Sequence, residues 1–480
     1  METGDGLLVR LVPAEGALAP AQLEGLAGAA RAFGNGLLEV SARGSLQLRG
    51  LSAETIDGLG AAVNALLIAP RDGVPLDLSP LAGLDPSETA DARPLARRIA
   101  AGIGARGLAA HGFAARLGPK VSVVLDGGGA IPLEALSADV RLVAMPGGAH
   151  WALALAGDAA TARPFAVLPE AEAAEAVLDL LGRVADLGPG ARMADVLAAD
   201  AAPSPTATQA FPPLGGGLGW GVGGGVAPPT LPSPARGEGT PGRERMAPGR
   251  AVRPIGRLPL TDGTVAQGVG LPFGQIEAEP LAALADAARR LGARDLRPAP
   301  GRALLAVGLS PEGADAFAAD AARLCFITAP DDPRLAVAAC PGAPACRSAL
   351  MPARAVAQEV AAALAPILDG SITVHLSACA KGCAHPAKAA LTLVGMDEGI
   401  ALVREGTAGA AARADFRFAE LVPRLEALAR AVTLDRRAGE DSRAVLARVS
   451  PAGTGTGSRM PEETMPEETM AERKTSGSPA

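Results

Sequence analysis

The chain is poor in several residue types. It has no tyrosine, two tryptophans, four histidines and five cysteines in 480 residues. The missing tyrosine goes with an excess of alanine, glycine and proline and reflects compositional bias rather than function. No run of basic residues tracks a phosphate backbone, and the net charge is −7, which argues against a nucleic-acid partner. No apolar stretch reaches membrane-spanning length, and the first residues, METGDGLLVR, hold no signal-peptide core. The expectation is a soluble, cytoplasmic protein. A hydrophobic content of 49% in so long a chain allows two to four domains with real cores.

Four of the few cysteines fall into two pairs, Cys340-x5-Cys346 in ACPGAPACRS and Cys379-x3-Cys383 in HLSACAKGCAHP. Zinc knuckles place their ligands two to four residues apart on tight turns. Here one spacing is longer, and small residues, glycine and proline lie between the sulfurs. Such loops can wrap a group larger than one ion, and four thiolates are the complement of a 4Fe-4S cluster. A zinc ion or two disulfides are the alternatives. Cys325, in the apolar run ARLCFIT, reads as a buried core thiol.

Residues 201–250 form a Gly/Pro-rich stretch without periodicity, read as a disordered linker. The tail 450–480, with its tandem MPEET, reads the same way. The two halves they frame resemble each other. Residues 121–145 lie without gaps against 372–396, each reading as strand, loop, strand. LLEVSARGSLQLRGLSAE from Leu37 parallels DLRPAPGRALLAVGLSPE from Asp295. Each half opens with strand, helix, strand, strand, helix, the pattern of a ferredoxin-like α+β module. In this alignment Cys379 and Cys383 fall opposite Gly128 and Pro132, so only the second half can hold the cluster.

The cysteine spacing and the duplication resemble the nitrite and sulfite reductase superfamily. Within it, SACAKGCAHP is most similar to the precorrin-3B synthases of the cobalamin pathway. The resemblance implies a duplicated α+β architecture with pseudo-twofold symmetry. Its expected parts are two ferredoxin-like half-domains (1–72 and 251–328) and two mixed α+β domains (75–200, without cluster cysteines, and 329–445, with the 4Fe-4S cluster). It also implies a tetrapyrrole between the halves. The function expected is an oxidoreductase, a monooxygenase that hydroxylates precorrin-3A at C20 with O2 and closes a lactone. A 4Fe-4S cluster held by Cys340, Cys346, Cys379 and Cys383 would deliver the electrons, with a mononuclear non-haem iron as a second possible metal. The alternative is a sirohaem-dependent sulfite or nitrite reductase.

A carboxylate-rich tetrapyrrole needs converging cationic groups. In SARGSLQLRG, strand alternation puts Gln47 and Arg49 on the face away from Leu46 and Leu48. An ordinary solvated face is the plain reading; the resemblance implies tetrapyrrole contacts for Arg43, Gln47 and Arg49. Lys120 and Arg116 are expected beside them, Lys120 otherwise being an exposed strand-start lysine. Arg297, Arg302 and Arg347 are further carboxylate contacts to weigh. Lys381, inside the cluster loop, and His385, just after it, join Lys120 as catalytic candidates. His385 could instead cap the loop, and His375 reads as a hydrogen-bonded core residue. The GxGxxG of residues 102–107 follows a helical run, not a strand, and is dismissed as a dinucleotide fingerprint. Electrons would therefore come from an external, NAD(P)H-linked donor.

Overall fold

The computed structural model describes residues 2–70, 73–107, 116–201 and 254–449. The linker (save Ala201), the tail and His111 lie outside them. Four sheets follow one another along the chain.

The first is built from β1 (Glu2–Thr3), β2 (Gly6–Val12), α1 (Pro20–Phe33), β3 (Leu37–Val40), β4 (Leu46–Leu51), α2 (Ile56–Ala65) and β5 (Ala69–Pro70). The second follows with β6 (Leu76–Leu78), α3 (Arg93–Gly107), β7 (Val123–Asp126), β8 (Ala138–Ala144), β9 (His150–Gly157), β10 (Arg163–Pro169), α4 (Glu170–Asp186) and α5 (Met193–Ala201). The glycines of residues 102–107 thus sit in a helix, as their setting predicts. The third stretch of chain carries β11 (Gly256–Pro259), β12 (Val265–Gly270), β13 (Gln275–Glu277), α6 (Ala278–Arg290), β14 (Asp295–Ala299), β15 (Ala303–Leu309) and α7 (Pro311–Arg323); its sheet runs β11-β12-β15-β14, and β13 belongs to the first sheet. The fourth comprises β16 (Val337–Ala339), α8 (Ala357–Leu364), β17 (Val374–Ser377), β18 (Ala389–Met396), β19 (Gly399–Gly406), α9 (Leu421–Leu434) and α10 (Ser442–Arg448).

The duplication is visible in the pairing. β6, β7 and β8 run parallel with Val123 opposite Val140, and β16, β17 and β18 repeat this with Val374 opposite Leu391. In both copies the next strand turns antiparallel. The ferredoxin-like modules also exchange backbone. β13 leaves its own module to pair with β3, Ile276 facing Leu38, and Leu18 bridges Leu296 in the third sheet. Carried back at the same offset, the match of Leu37 with Asp295 sets Leu18 against Ile276 and Leu38 against Leu296, so the exchange is reciprocal.

Apolar periodicity explains the shared core. α1 buries Leu23, Leu26, Ala27 and Ala30, and α6 buries Leu281, Leu284, Ala285 and Ala288, each at helical spacing. The two stripes join Leu46, Leu48, Leu304, Ala306 and Phe317 in one hydrophobic cluster that welds the modules together. The second and fourth sheets carry cores of their own. Cys325 departs from expectation. It ends α7 with a left-handed φ of 67°, which turns its thiol outward to an exposed position while Phe326 and Ile327 take the buried places.

Candidate active site between the first sheet and the cysteine loops

β4 is buried on both faces. Leu46, Leu48 and Leu51 enter the shared core; Gln47 and Arg49 face the other way and are also buried, 9% and 5% exposed. The solvated-face reading of this strand therefore fails, because the fourth module covers it. Cross-strand register extends the polar face into a row: Arg10 lies opposite Gln47, Gln47 opposite Glu39, and Glu39 opposite Gln275.

The covering layer is the cysteine-bearing part of the fourth module. Arg49 donates to Asp5 at 2.9 and 3.1 Å and to the carbonyl of Ala345, within the first cysteine loop, at 2.9 Å. Glu39 lies 3.8 Å from Arg49 and pairs with Arg354, whose guanidinium also donates to Gln275. Arg302 donates to the carbonyl of Ala384, just past Cys383, at 3.0 Å. Gly4 donates its N–H to Ala345 and packs so closely that a Cβ there would come within 2.7 Å of the Cys346 and Arg347 backbone. The N-terminal hairpin thus clasps the first cysteine loop.

Burial decides the charge states. Desolvation opposes ionisation of Asp5, yet hydrogen bonds from Arg49 and Thr3 outweigh it and hold its carboxyl below the usual range. Arg302 is half-buried, and desolvation together with nearby Arg354 pushes its guanidinium down to about 10. It stays charged at neutral pH.

The described cysteines are all free thiols. Cys340 is buried, and its Sγ accepts the amide N–H of Ala378 at 3.2 Å. Burial pushes the Cys340 thiol up, and charge on Cys383 and Cys379 would push it further. Cys383 is raised by burial and then by Cys379 and Cys346. Cys383 therefore lies within electrostatic reach of each of the other three sulfurs. Lys381 donates to Ser348 at 2.7 Å and so ties the second loop to the first. His385 meets the Lys388 carbonyl at 3.3 Å and places its ring edge-on to His375, 5.8 Å between centroids. His375 departs from the expected hydrogen-bonded core histidine. It is fully buried, but neither ring nitrogen has a partner, and burial, with His385 and Arg302, pushes it down to about 4.

Other sequence candidates lie elsewhere. Arg43 pairs with buried Asp77 and donates to the Ser137 carbonyl and to Ser122, where β7 begins. Exposed Lys120 leads into that same end of β7, opposite the end that carries the 127–137 loop. Arg116 pairs with Asp186 on the surface. Arg297 pairs with Asp295 and donates to Pro80. Arg347 is exposed beside Cys346. Glu39, Gln275 and Arg354 were missed by the sequence reading. Only Glu39 carried a signal, since it shares a strand face with its register partner Gln47.

Among the described residues no helix is long and apolar enough to cross a membrane. Residues 1–66 match the model of the nitrite/sulfite reductase ferredoxin-like half domain. The structure of the Mycobacterium tuberculosis NirA protein superposes with a TM-score of 0.64 over 93% of this chain and 84% of that one, at 18% identity. That likeness establishes the fold. A precorrin-3B synthase from Sinorhizobium sp. is 36% identical over 454 residues, 94% of this chain and 91% of that protein. The chain therefore belongs to the precorrin-3B synthase family, a family of oxidoreductases built on the nitrite/sulfite reductase fold.

Proposed function

We propose that this protein is a precorrin-3B synthase: it hydroxylates precorrin-3A at C20 with one atom of O2 and closes a lactone, the other oxygen leaving as water with two electrons and two protons. The observation that carries this reading is the polar floor of Gln47, Arg49, Arg302 and Arg354, set directly against the loops that hold four free thiols. Family membership supports the same substrate class.

The thiols fit a 4Fe-4S cluster. They sit on two loops whose glycines, Gly342 and Gly382, adopt φ of 73° and 65°, and a backbone amide already points at one sulfur. Among the described residues no three His, Cys, Asp or Glu side chains gather around a single point. A four-sulfur cage does not require that. A mononuclear iron does, and the described residues offer no ligand set for one. When bound, the cluster supplies single electrons, delivered by an external NAD(P)H-linked donor.

The chain's own residues orient the substrate. Arg302 and Arg354 present guanidinium groups suited to ring carboxylates, and Arg49 and Gln47 complete the floor. Arg49 is the most constrained, since Asp5 and the Ala345 carbonyl fix its plane. Chemistry at one meso carbon needs this rigidity, because a misplaced macrocycle presents the wrong carbon. Arg43 and Lys120 remain candidates for carboxylates that reach the Ser122 end of β7. Lys381 and His385, beside Cys383, are the candidates for proton handling at the reacting edge.

Incubation of cluster-loaded protein with precorrin-3A, O2 and a working electron donor should give a product heavier by one oxygen atom, detected by mass spectrometry. Unchanged precorrin-3A overturns the reading. Sirohaem bands in the protein purified without oxygen would favour the sulfite or nitrite reductase alternative, which has only the shared fold behind it.

A further inference from the structure

β17 enters the cluster loop, and its side chains alternate. Val374 and Leu376 join the core of the fourth module, while His375 points to the opposite face. The same position in the other copy is Val124, fully buried under Leu133 and Leu136 of its own loop. The fold therefore needs only an apolar side chain at this point. His375 instead buries two ring nitrogens that have no hydrogen-bond partner, which destabilises the fold unless something else satisfies them.

The surroundings show where a partner would lie. A Cβ on Gly382 would stand 3.6 Å from His375 Cε1, the ring carbon between the two nitrogens, so the polar edge of the imidazole faces the segment joining Cys379 to Cys383. The ring is itself fully buried, with His385 edge-on to another side and the positive charge of half-buried Arg302 nearby. Both conditions disfavour a second proton on the ring, leaving one N–H to donate. Arg302 is itself bonded to the Ala384 carbonyl. Gly382 joins the two cysteines of the second loop, so a group held by them would lie on that side of the ring.

We propose that His375 is a neutral hydrogen-bond donor to the sulfur cage bound by Cys340, Cys346, Cys379 and Cys383, and that this bond raises the cage's reduction potential. The proposal rests on the cluster reading above. A donor aimed at a cluster sulfur stabilises the more negative, reduced state, and outer-shell hydrogen bonds are a standard control on such potentials. His375 is thus a positioning residue that acts through the cluster.

Two measurements test it on the full-length, cluster-loaded protein. In a redox titration followed by electron paramagnetic resonance, His375→Phe should shift the reduced-to-oxidised ratio about tenfold toward oxidised at a fixed potential, the weight of one such bond. His375→Gln, which keeps an N–H donor, should recover part of the shift. An unchanged potential in His375→Phe overturns the proposal. Should that variant fail to hold a cluster, pulsed resonance on the reduced wild type with imidazole-15N histidine decides. A nitrogen coupling that persists in His385→Gln supports His375; no coupling, or its loss in His385→Gln, overturns it. Iron and acid-labile sulfide analysis separates the two ideas, because wild-type protein without cluster defeats the cluster reading itself.

Discussion

The molecule builds one interface twice, and the copies differ in chemistry. In the second half the outer face of β15 presents Leu305 and Val307, which close with Leu81 and Ile131 from the second module's loops into a dry contact. In the first half the aligned positions are Gln47 and Arg49, and the loops that cover them carry cysteines. Loop support differs as well. Gly128 and Leu133 of the thiol-free loop donate their amides to Asp126, Ala130 donates to Asp85, and Arg141 donates to the Leu133 and Leu136 carbonyls. Ser79 follows β6 where Cys340 follows β16, and Asp85 stands six residues on, as Cys346 does. Side chains of the same module hold the thiol-free loop from within. The other copy leaves four thiols and a buried histidine facing an arginine-lined floor. Apolar packing makes the first a brace, and the second carries the face proposed above to meet the substrate.

The largest effect is expected at the cysteine positions. Cys383→Ser should abolish the cluster absorption, whereas Pro132→Ser, at the matching place in the other loop, should leave it intact; absorption spectra of the two purified variants check this. Next come the two floors. Arg49→Val installs the side chain of the dry copy but strands Asp5 and Glu39, at a cost of about 3–5 kcal/mol. Leu305→Ala leaves a cavity and costs about 2–5 kcal/mol. Denaturant unfolding measures both, and the comparison breaks if Leu305→Ala also lowers product formation while the chain stays folded.

The smallest effect concerns Glu88, beside the thiol-free loop. Its Oε2 accepts the Gly83 amide, but its Oε1 is buried without a partner, and burial raises the carboxyl to about 7. The folded state therefore holds a proton that the unfolded state releases near 4.5. Stability from this group is complete below 4.5 and is lost as pH rises toward 7. Glu88→Gln should flatten that part of the stability–pH curve without altering cluster absorption. A slope that survives the substitution assigns it to another group.

Much of this was legible in the sequence because periodicity and spacing are local. The strand–helix–strand–strand–helix order, the ungapped match of 121–145 with 372–396, and the four cysteines all follow from residues read in line. The floor was only half legible. Alternation placed Gln47 and Arg49 on one face, but what covers that face is a loop almost 300 residues away. Arg354 has no motif, and only folding brings it to Glu39. His375 and Cys325 were misread for related reasons. An apolar run does not reveal a left-handed helix end, and an alternating strand does not reveal whether a buried ring finds its partners.

The central claim is that one copy of the interface works and the other only braces. Hydrogen–deuterium exchange with and without precorrin-3A, in the absence of oxygen, tests it most directly. The account predicts slower exchange on substrate addition in β4 and in residues 342–354 and 378–388, with residues 79–85 and 127–133 unchanged. Protection confined to 79–85 and 127–133, with the cysteine loops unaltered, would contradict it.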